Sequence, residues 1–184
     1  KTRLYLFGFS GGGQFVHRYL MAHPDKVERA VIGAAGWYTF PDPKVTYPRG
    51  LGESARRSFE IGWPEFLRIP VTVLVGERDI QRDDALNQSK RIDRQQGRNR
   101  LERGHHWIDA MNAAAREQGY STKYDFELLP NTGHDFTEAM NSGQMGKTVF
   151  RHLFDDGELP VLCPDCSQAV SIASGSRRQL GPNP

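Results

Sequence analysis

The segment that most constrains this chain is Arg3 to Gly13, which reads Arg-Leu-Tyr-Leu-Phe-Gly-Phe-Ser-Gly-Gly-Gly. Leu4 to Phe7 is a short apolar run rich in strand-favouring aromatics. It passes without a break into Gly8-Phe9-Ser10-Gly11-Gly12, a G-x-S-x-G pentapeptide, and a helical pattern follows at once. A strand that turns into a helix within so few residues puts the serine on a sharp turn at the strand's carboxyl end. Its hydroxyl then points outward and the helix aims its amino end towards it. The turn strains the backbone, and strand and helix approach so closely that side chains at positions 8 and 12 are expected to collide unless both are glycine. The backbone N–H of Gly11 would face a negative charge developing beside Ser10.

With 184 residues and 38% hydrophobic content, the chain is long enough for one domain with a real core and too short to need two. The net charge of +2 comes from Lys and Arg mixed among Asp and Glu, so a nucleic-acid partner is not favoured, a groove along the arginine-rich Arg82 to Arg103 being the alternative. Arg82 to Arg103 is locally rich in arginine and is expected to be a solvated face. No apolar run approaches the ~20 residues needed to cross a bilayer. The chain begins with Lys1 at the foot of the first strand, so we expect an amino-terminal portion, with any targeting signal, to lie upstream. Cys163 and Cys166 form the one C-x-x-C, without a second ligand pair for zinc, and read as an incidental or disulfide-forming pair.

Beyond the turn, Gln14 to His23 is predicted to be a helix packing Phe15, Val16, Tyr19 and Leu20 against a sheet, and Pro24 stops it. Val27 to Ala35 reads as a second strand, ended by Gly36. From Trp37 to Pro70 the period is lost among aromatics, prolines and glycines, as in a segment inserted over the carboxyl edge of the sheet. Trp37, Tyr38 and Phe40 leave the strand on the same edge as Ser10 and are candidates for a substrate-pocket wall, with ordinary packing under a loop as the alternative. Val71 to Val75 is a third strand, Leu101 to Gln118 a helix stopped by Gly119, Tyr124 to Leu129 a fourth strand, and Glu138 to Phe154 a last helix. Strands alternating with helices imply an α/β fold, a mostly parallel sheet with helices on both faces, over residues 1–158. The polar, aperiodic remainder, 159–184, is expected to be a disordered or loosely attached tail.

In open parallel sheets functional groups gather at the carboxyl ends of strands. Ser10, Asp79 and His134 each follow a different strand there. A serine hydroxyl needs a base to take its proton, and neutral imidazole, which titrates near ~6.5 when unperturbed, suits neutral pH. His134 is the candidate base. Asp79 is the candidate carboxylate that would fix the tautomer and stabilise the imidazolium. Gly11 N–H is a candidate oxyanion donor, a type of contact worth on the order of 3 kcal/mol. Asp83 and Asp84 are alternative acids should their loop fold back, and Asp135 is expected to cap or turn. His105 and His106, adjacent on a helix, point to different sides and make a poor metal pair. His17, His23 and His152 read as surface or helix-packing residues.

Gly8-Phe9-Ser10-Gly11-Gly12-Gly13, Gly76-Glu77-Arg78-Asp79 and Thr132-Gly133-His134-Asp135-Phe136 together resemble the carboxyl-terminal half of an α/β-hydrolase. The likeness covers about residues 1 to 155 and leans to the esterases grouped with polyhydroxyalkanoate depolymerases and feruloyl esterases. It implies a small-molecule or polyester ester substrate and no metal or organic cofactor. Family members carry further strands before the serine strand, and a loop after one of them supplies the second oxyanion donor. Without them Leu4 to Phe7 would be an unpaired apolar edge, so we expect this chain to be part of a longer enzyme, insoluble or inactive alone. The expected function is a serine hydrolase that cleaves a carboxylic ester through an acyl-enzyme. A peptidase, thioesterase or acyltransferase would use the same three residues, and a catalytically inactive hydrolase-like binding domain is the alternative of a different class.

Overall fold

In the computed structural model, which describes residues 2–55 and 57–154, the four apolar segments form one sheet. The strands are β1 (Leu4–Phe9), β2 (Val27–Gly33), β3 (Val71–Gly76) and β4 (Tyr124–Leu129), parallel and in the order β1-β2-β3-β4. The helices are α1 (Gly11–Ala22), α2 (Lys90–Gln96), α3 (Arg100–Glu117), α4 (Phe136–Asn141) and α5 (Met145–Phe154). Phe9 pairs with Gly33, Gly33 with Leu74, and Gly76 with Leu129. The carboxyl ends of all four strands therefore finish close to one line, and the loops carrying Ser10, Asp79 and His134 leave from it.

Successive side chains of a strand alternate between faces, and the two cores divide accordingly. Ala30, Ile32, Val71, Val73 and Val75 join Val16 and Leu20 of α1 and Trp107 and Met111 of α3 on one side. Val31 and Leu74 join Leu129, Ala139, Met145 and Val149 on the other, where α4 and α5 lie. Helices thus cover both faces of an α/β sheet. β3 is buried along its whole length, whereas β1 stands at the edge with Leu4 and Phe7 exposed. Residues 1–153 form one unit; the expected tail, with Cys163 and Cys166, lies outside the described residues.

Local chemistry sets the helix ends. Asn99 caps α3 by accepting from the Glu102 N–H at 2.9 Å, and Gly119, at φ 71°, stops it. The predicted last helix is instead two, α4 and α5, broken at Ser142-Gly143-Gln144, where Gln144 takes φ 50°. Helix α2 escaped prediction because only Ile92 and Gln96 of it are buried, too few to show a period. Among the described residues no helix is long and apolar enough to cross a membrane.

Two expectations are corrected by packing. Helix α1 starts at Gly11 and buries Gly13, Val16, His17, Leu20 and Met21, while Phe15 is 63% exposed and Tyr19 half-buried. The cause is Gly13, where a Cβ would come within 2.9 Å of the Gly33 carbonyl and 3.1 Å of Ile32 Cγ2. That approach fixes which face of α1 meets the sheet. Arg82 to Arg103 is a solvated face only in part: Arg91, Arg94 and Arg98 are exposed, whereas Arg100 and Arg103 are 1% and 0% exposed, because α3 turns them inward onto carboxylates and carbonyls.

The backbone leaving β2 is gripped by buried polar side chains. Arg103 Nη1 donates to the Gly36 carbonyl at 2.6 Å, Gln96 both donates to and accepts from the Tyr38 backbone at 2.8 Å, and Trp107 Nε1 donates to the Thr39 carbonyl at 2.8 Å. The Thr39 N–H donates to His17 Nε2 at 3.0 Å, which leaves His17 Nδ1 to donate to the Gly13 carbonyl at 3.1 Å. Burial pushes the His17 imidazole down to about 3, helped by the Arg18 charge and opposed by the Gly13 bond.

A Cβ at Gly8 would run into the Gly12 carbonyl, but one at Gly12 meets nothing within 4 Å, so the collision expected at position 12 falls at Gly13 instead. Gly8→Ala should therefore cost about 1–3 kcal/mol, whereas Gly12→Ala should be neutral or stabilise by up to about 1 kcal/mol; denaturant midpoints of the two variants check this. A second outcome concerns pH. The unfolded His17 binds its proton near ~6.5 and the folded one only near about 3. Between those values the unfolded state holds more protons, so stability falls as pH drops, by up to about 1.4 kcal/mol per pH unit. Denaturant midpoints between pH 7 and 4 should decline less steeply in His17→Gln than in the wild type.

Candidate functional site

Ser10 occupies the turn between β1 and α1 with φ 54° and ψ −114°, a backbone conformation side chains rarely adopt. Its N–H donates to the Gly33 carbonyl at 2.7 Å, so β2 holds the turn in place. Gly11 opens α1, and its N–H is among the first-turn donors that a helix leaves without an internal partner.

The other two candidate groups are brought to the same rim by a pairing that runs past the strands. After β3 and β4 end, the Glu77 N–H donates to the Leu129 carbonyl at 3.0 Å and the Arg78 N–H to the Thr132 carbonyl at 2.8 Å. Gly76 makes this possible, since a Cβ there would strike the Thr132 and Gly133 carbonyls. Asp79 closes the turn with its N–H on the Gly76 carbonyl at 2.9 Å. Asp135 caps α4 by accepting from the Glu138 N–H at 2.7 Å, while the Glu138 carboxylate accepts from the Gly133 N–H at 2.7 Å. His134 is thus fixed from both sides.

The three side chains meet. His134 Nε2 lies 3.0 Å from Ser10 Oγ, and His134 Nδ1 lies 2.8 Å from Asp79 Oδ2. A carboxylate oxygen can only accept, so Nδ1 carries the hydrogen and Nε2 is left to accept a hydrogen bond from the Ser10 hydroxyl. Phe9, the variable residue of the pentapeptide before the serine, stacks on the imidazole with centroids 5.3 Å apart and an interplanar angle of 20°. Asp79 is 1% exposed, whereas His134 and Ser10 are half-buried and reach the surface.

Of the alternative acids, Asp84 is exposed and Asp83 grips Arg100 through two bonds of 2.9 Å. That bond holds the Asp83 carboxyl below the usual carboxylate range. Arg100 Nη1 also reaches Asp79 Oδ1 at 3.3 Å, on the oxygen His134 does not use. Sequence reasoning missed Arg100 and Phe9. Arg100 was detectable: continuing the buried stripe of α3 backwards from Trp107 through Arg103 lands on it, and a cation on a buried stripe requires an acidic partner.

The candidate pocket wall is corrected in part. Tyr38 is 0% exposed and stacks on Trp107 at 5.0 Å, because its backbone is pulled inward by Gln96. Phe40 is half-buried against the core, and Trp37 is half-buried beneath the Arg18 guanidinium, 4.5 Å from its ring centre. Beside Gly11 opens a groove of about 520 Å³ lined by Gln14, Phe15, Arg18, Tyr47 and Phe59. Of the remaining histidines, His105 meets Asp109, His106 meets the Gln96 carbonyl, His23 lies against Tyr19, and His152 sits between Thr72 and Glu127. Among the described residues no three His, Cys, Asp or Glu side chains are grouped to hold a metal ion.

No protein-family model and no curated protein matches the chain. Solved structures do. Poly(aspartic acid) hydrolase-1 from Sphingomonas sp. KT-1 is similar with 29% identity and a TM-score of 0.69, over 83% of this chain and 55% of that one. LpqC, a poly(3-hydroxybutyrate) depolymerase from Bordetella parapertussis, is similar with 28% identity and a TM-score of 0.66, over 86% of this chain and 50% of that one. The chain spans about half the length of each. With a parallel sheet covered on both faces, a strained serine between strand and helix, and these likenesses, the chain has the α/β-hydrolase fold.

Proposed function

We propose that the chain carries the catalytic machinery of a serine hydrolase that cleaves a carboxylic ester through an acyl-enzyme. The observation that carries this reading is the unbroken line from Ser10 Oγ through the His134 ring to Asp79, with links of 3.0 and 2.8 Å. In the proposed cycle Ser10 attacks the ester carbonyl as His134 Nε2 takes its proton. Asp79 holds Nδ1–H and stabilises the imidazolium that forms. The Gly11 N–H and the amino end of α1 face the oxyanion. His134 then returns the proton to the departing alcohol, and water, activated by the same imidazole, releases the acid.

Both similar structures are named for polymer substrates, a poly(aspartic acid) and a poly(3-hydroxybutyrate). That supports a polymeric or small acyl substrate entering along the groove beside Gly11, with Trp37 supporting Arg18 at its wall. A binding domain without catalysis is the less supported reading. It has no use for a buried carboxylate aligned on an imidazole that is itself aligned on a strained serine.

In the full-length protein, a fluorophosphonate probe should label Ser10 and leave Ser10→Ala unlabelled. Ester hydrolysis should fall by roughly 10⁶-fold in kcat for Ser10→Ala or His134→Ala and by roughly 10⁴-fold for Asp79→Asn. Labelling that persists in Ser10→Ala, or turnover that survives it, removes the serine mechanism.

A further inference from the structure

We propose that Arg100 and Asp83 are positioning residues for the relay: Arg100 holds the Asp79 carboxylate in the plane His134 needs, and Asp83 offsets the Arg100 charge so that it does not draw Asp79 away from the imidazole. The inference rests on the serine-hydrolase reading above. It starts from the two oxygens of Asp79. Oδ2 meets His134 Nδ1 at 2.8 Å and Oδ1 meets Arg100 Nη1 at 3.3 Å, so the carboxylate is pinned at both ends and cannot rotate about its last bond without losing one of them.

The distances rank the two acids. Asp83 takes two bonds of 2.9 Å from Arg100, against one of 3.3 Å for Asp79. The tighter, two-pronged pairing is on the acid that does not touch the imidazole, and the looser bond is on the one that does. The Arg100 Nε is buried with no partner among the described residues, a cost that simple packing by an apolar side chain would avoid. Burial opposes the guanidinium charge, but the bonds and field of Asp83 and Asp79 outweigh it and leave Arg100 raised above its ordinary value.

The charged and titratable neighbours come from every packed element. Asp79 faces His134 from the loop after β4, Arg100 from α3, and the buried Tyr38 phenol from the segment after β2. Arg100 faces Asp79, Asp83 and the like charge of Arg103, which is itself paired to Asp93 at 2.8 Å. His134 faces Asp79, the field of Asp83 and the Phe9 ring. Removing Arg100 leaves two carboxylates beside the imidazole and no cation, so the imidazole keeps its proton to higher pH. Removing Asp83 leaves an uncompensated cation on Asp79, so the imidazole sheds its proton at lower pH.

The test is the pH profile of kcat/KM for a p-nitrophenyl ester, measured on the full-length protein and three variants. Arg100→Met should move the acid limb up by about one pH unit, Asp83→Asn should move it down, and Arg100→Lys should return it towards the wild-type position. Opposite displacements support the positioning role, since a merely structural bridge would lower activity in both variants with the limb in place. An unmoved limb, or movement of both in one direction, overturns it. If Arg100→Met does not fold, Asp83→Asn decides alone, because its side chain is 38% exposed and its loss leaves no buried void. Fluorophosphonate labelling of the same preparations separates the two levels. A labelled Ser10 with unmoved limbs sinks the positioning role only, whereas an unlabelled wild type sinks the serine reading beneath it.

Discussion

The parallel register is the constraint on which the rest of this structure depends. Because all four strands run the same way and finish near one line, three residues that are 55 or more positions apart along the chain leave the sheet side by side. Parallel strands need crossovers, and here the crossovers put α1 and α3 on one face while α4 and α5 cover the other. Register alone aligns strand ends to within a residue or so, which is looser than a hydrogen bond requires. The remaining precision comes from backbone contacts that only glycine permits: Gly13 against Gly33 beneath Ser10, and Gly76 against Thr132 and Gly133 beneath Asp79 and His134.

Buried polar side chains complete what the glycines begin. The segment after β2 has no ladder partner, yet its backbone groups are buried, and such groups must be paired. His17, Gln96, Arg103 and Trp107 pair them, reaching from α1, α2 and α3. This arrangement makes the wall behind the relay a polar scaffold. It also accounts for a His17 that folding keeps neutral, since Nε2 must stay bare to accept from Thr39.

How much of this the amino-acid order reveals differs by kind of information. Strands β3 and β4 were readable almost to the residue, because a run such as Val71 to Val75 buried on both faces has no helical rival. The order of Ser10, Asp79 and His134 after three different strands was readable too, and so was Asp135 as a cap. The phase of α1 was not. Its apolar residues suggest one face, and a close approach at Gly13 selects another, leaving Phe15 outside. For Tyr38 the sequence left a pocket wall and packing under a loop open, and Gln96, far along the chain, decides for packing by drawing it inward. Arg100 and Arg103 looked solvated because charge is normally exposed, and their acidic partners, Asp79, Asp83 and Asp93, become partners only when α2 and α3 fold over the rim.

The proposed relay makes a demand on its surroundings that Arg100 meets. In the proposed cycle Asp79 acts as a carboxylate, yet at 1% exposure it has given up the water that would stabilise such a charge, a loss of several kcal/mol for an unpaired ion. One hydrogen bond from a neutral ring does not restore it. A full cation in direct contact would restore too much, because the carboxylate would then serve the cation in preference to the imidazolium of the proposed cycle. A guanidinium shared with a second carboxylate lies between these limits: it supplies a hydrogen bond to the idle oxygen of Asp79 while Asp83 takes two shorter bonds from the same group. The geometry of the rim is therefore also its electrostatics, and both descend from where α3 begins.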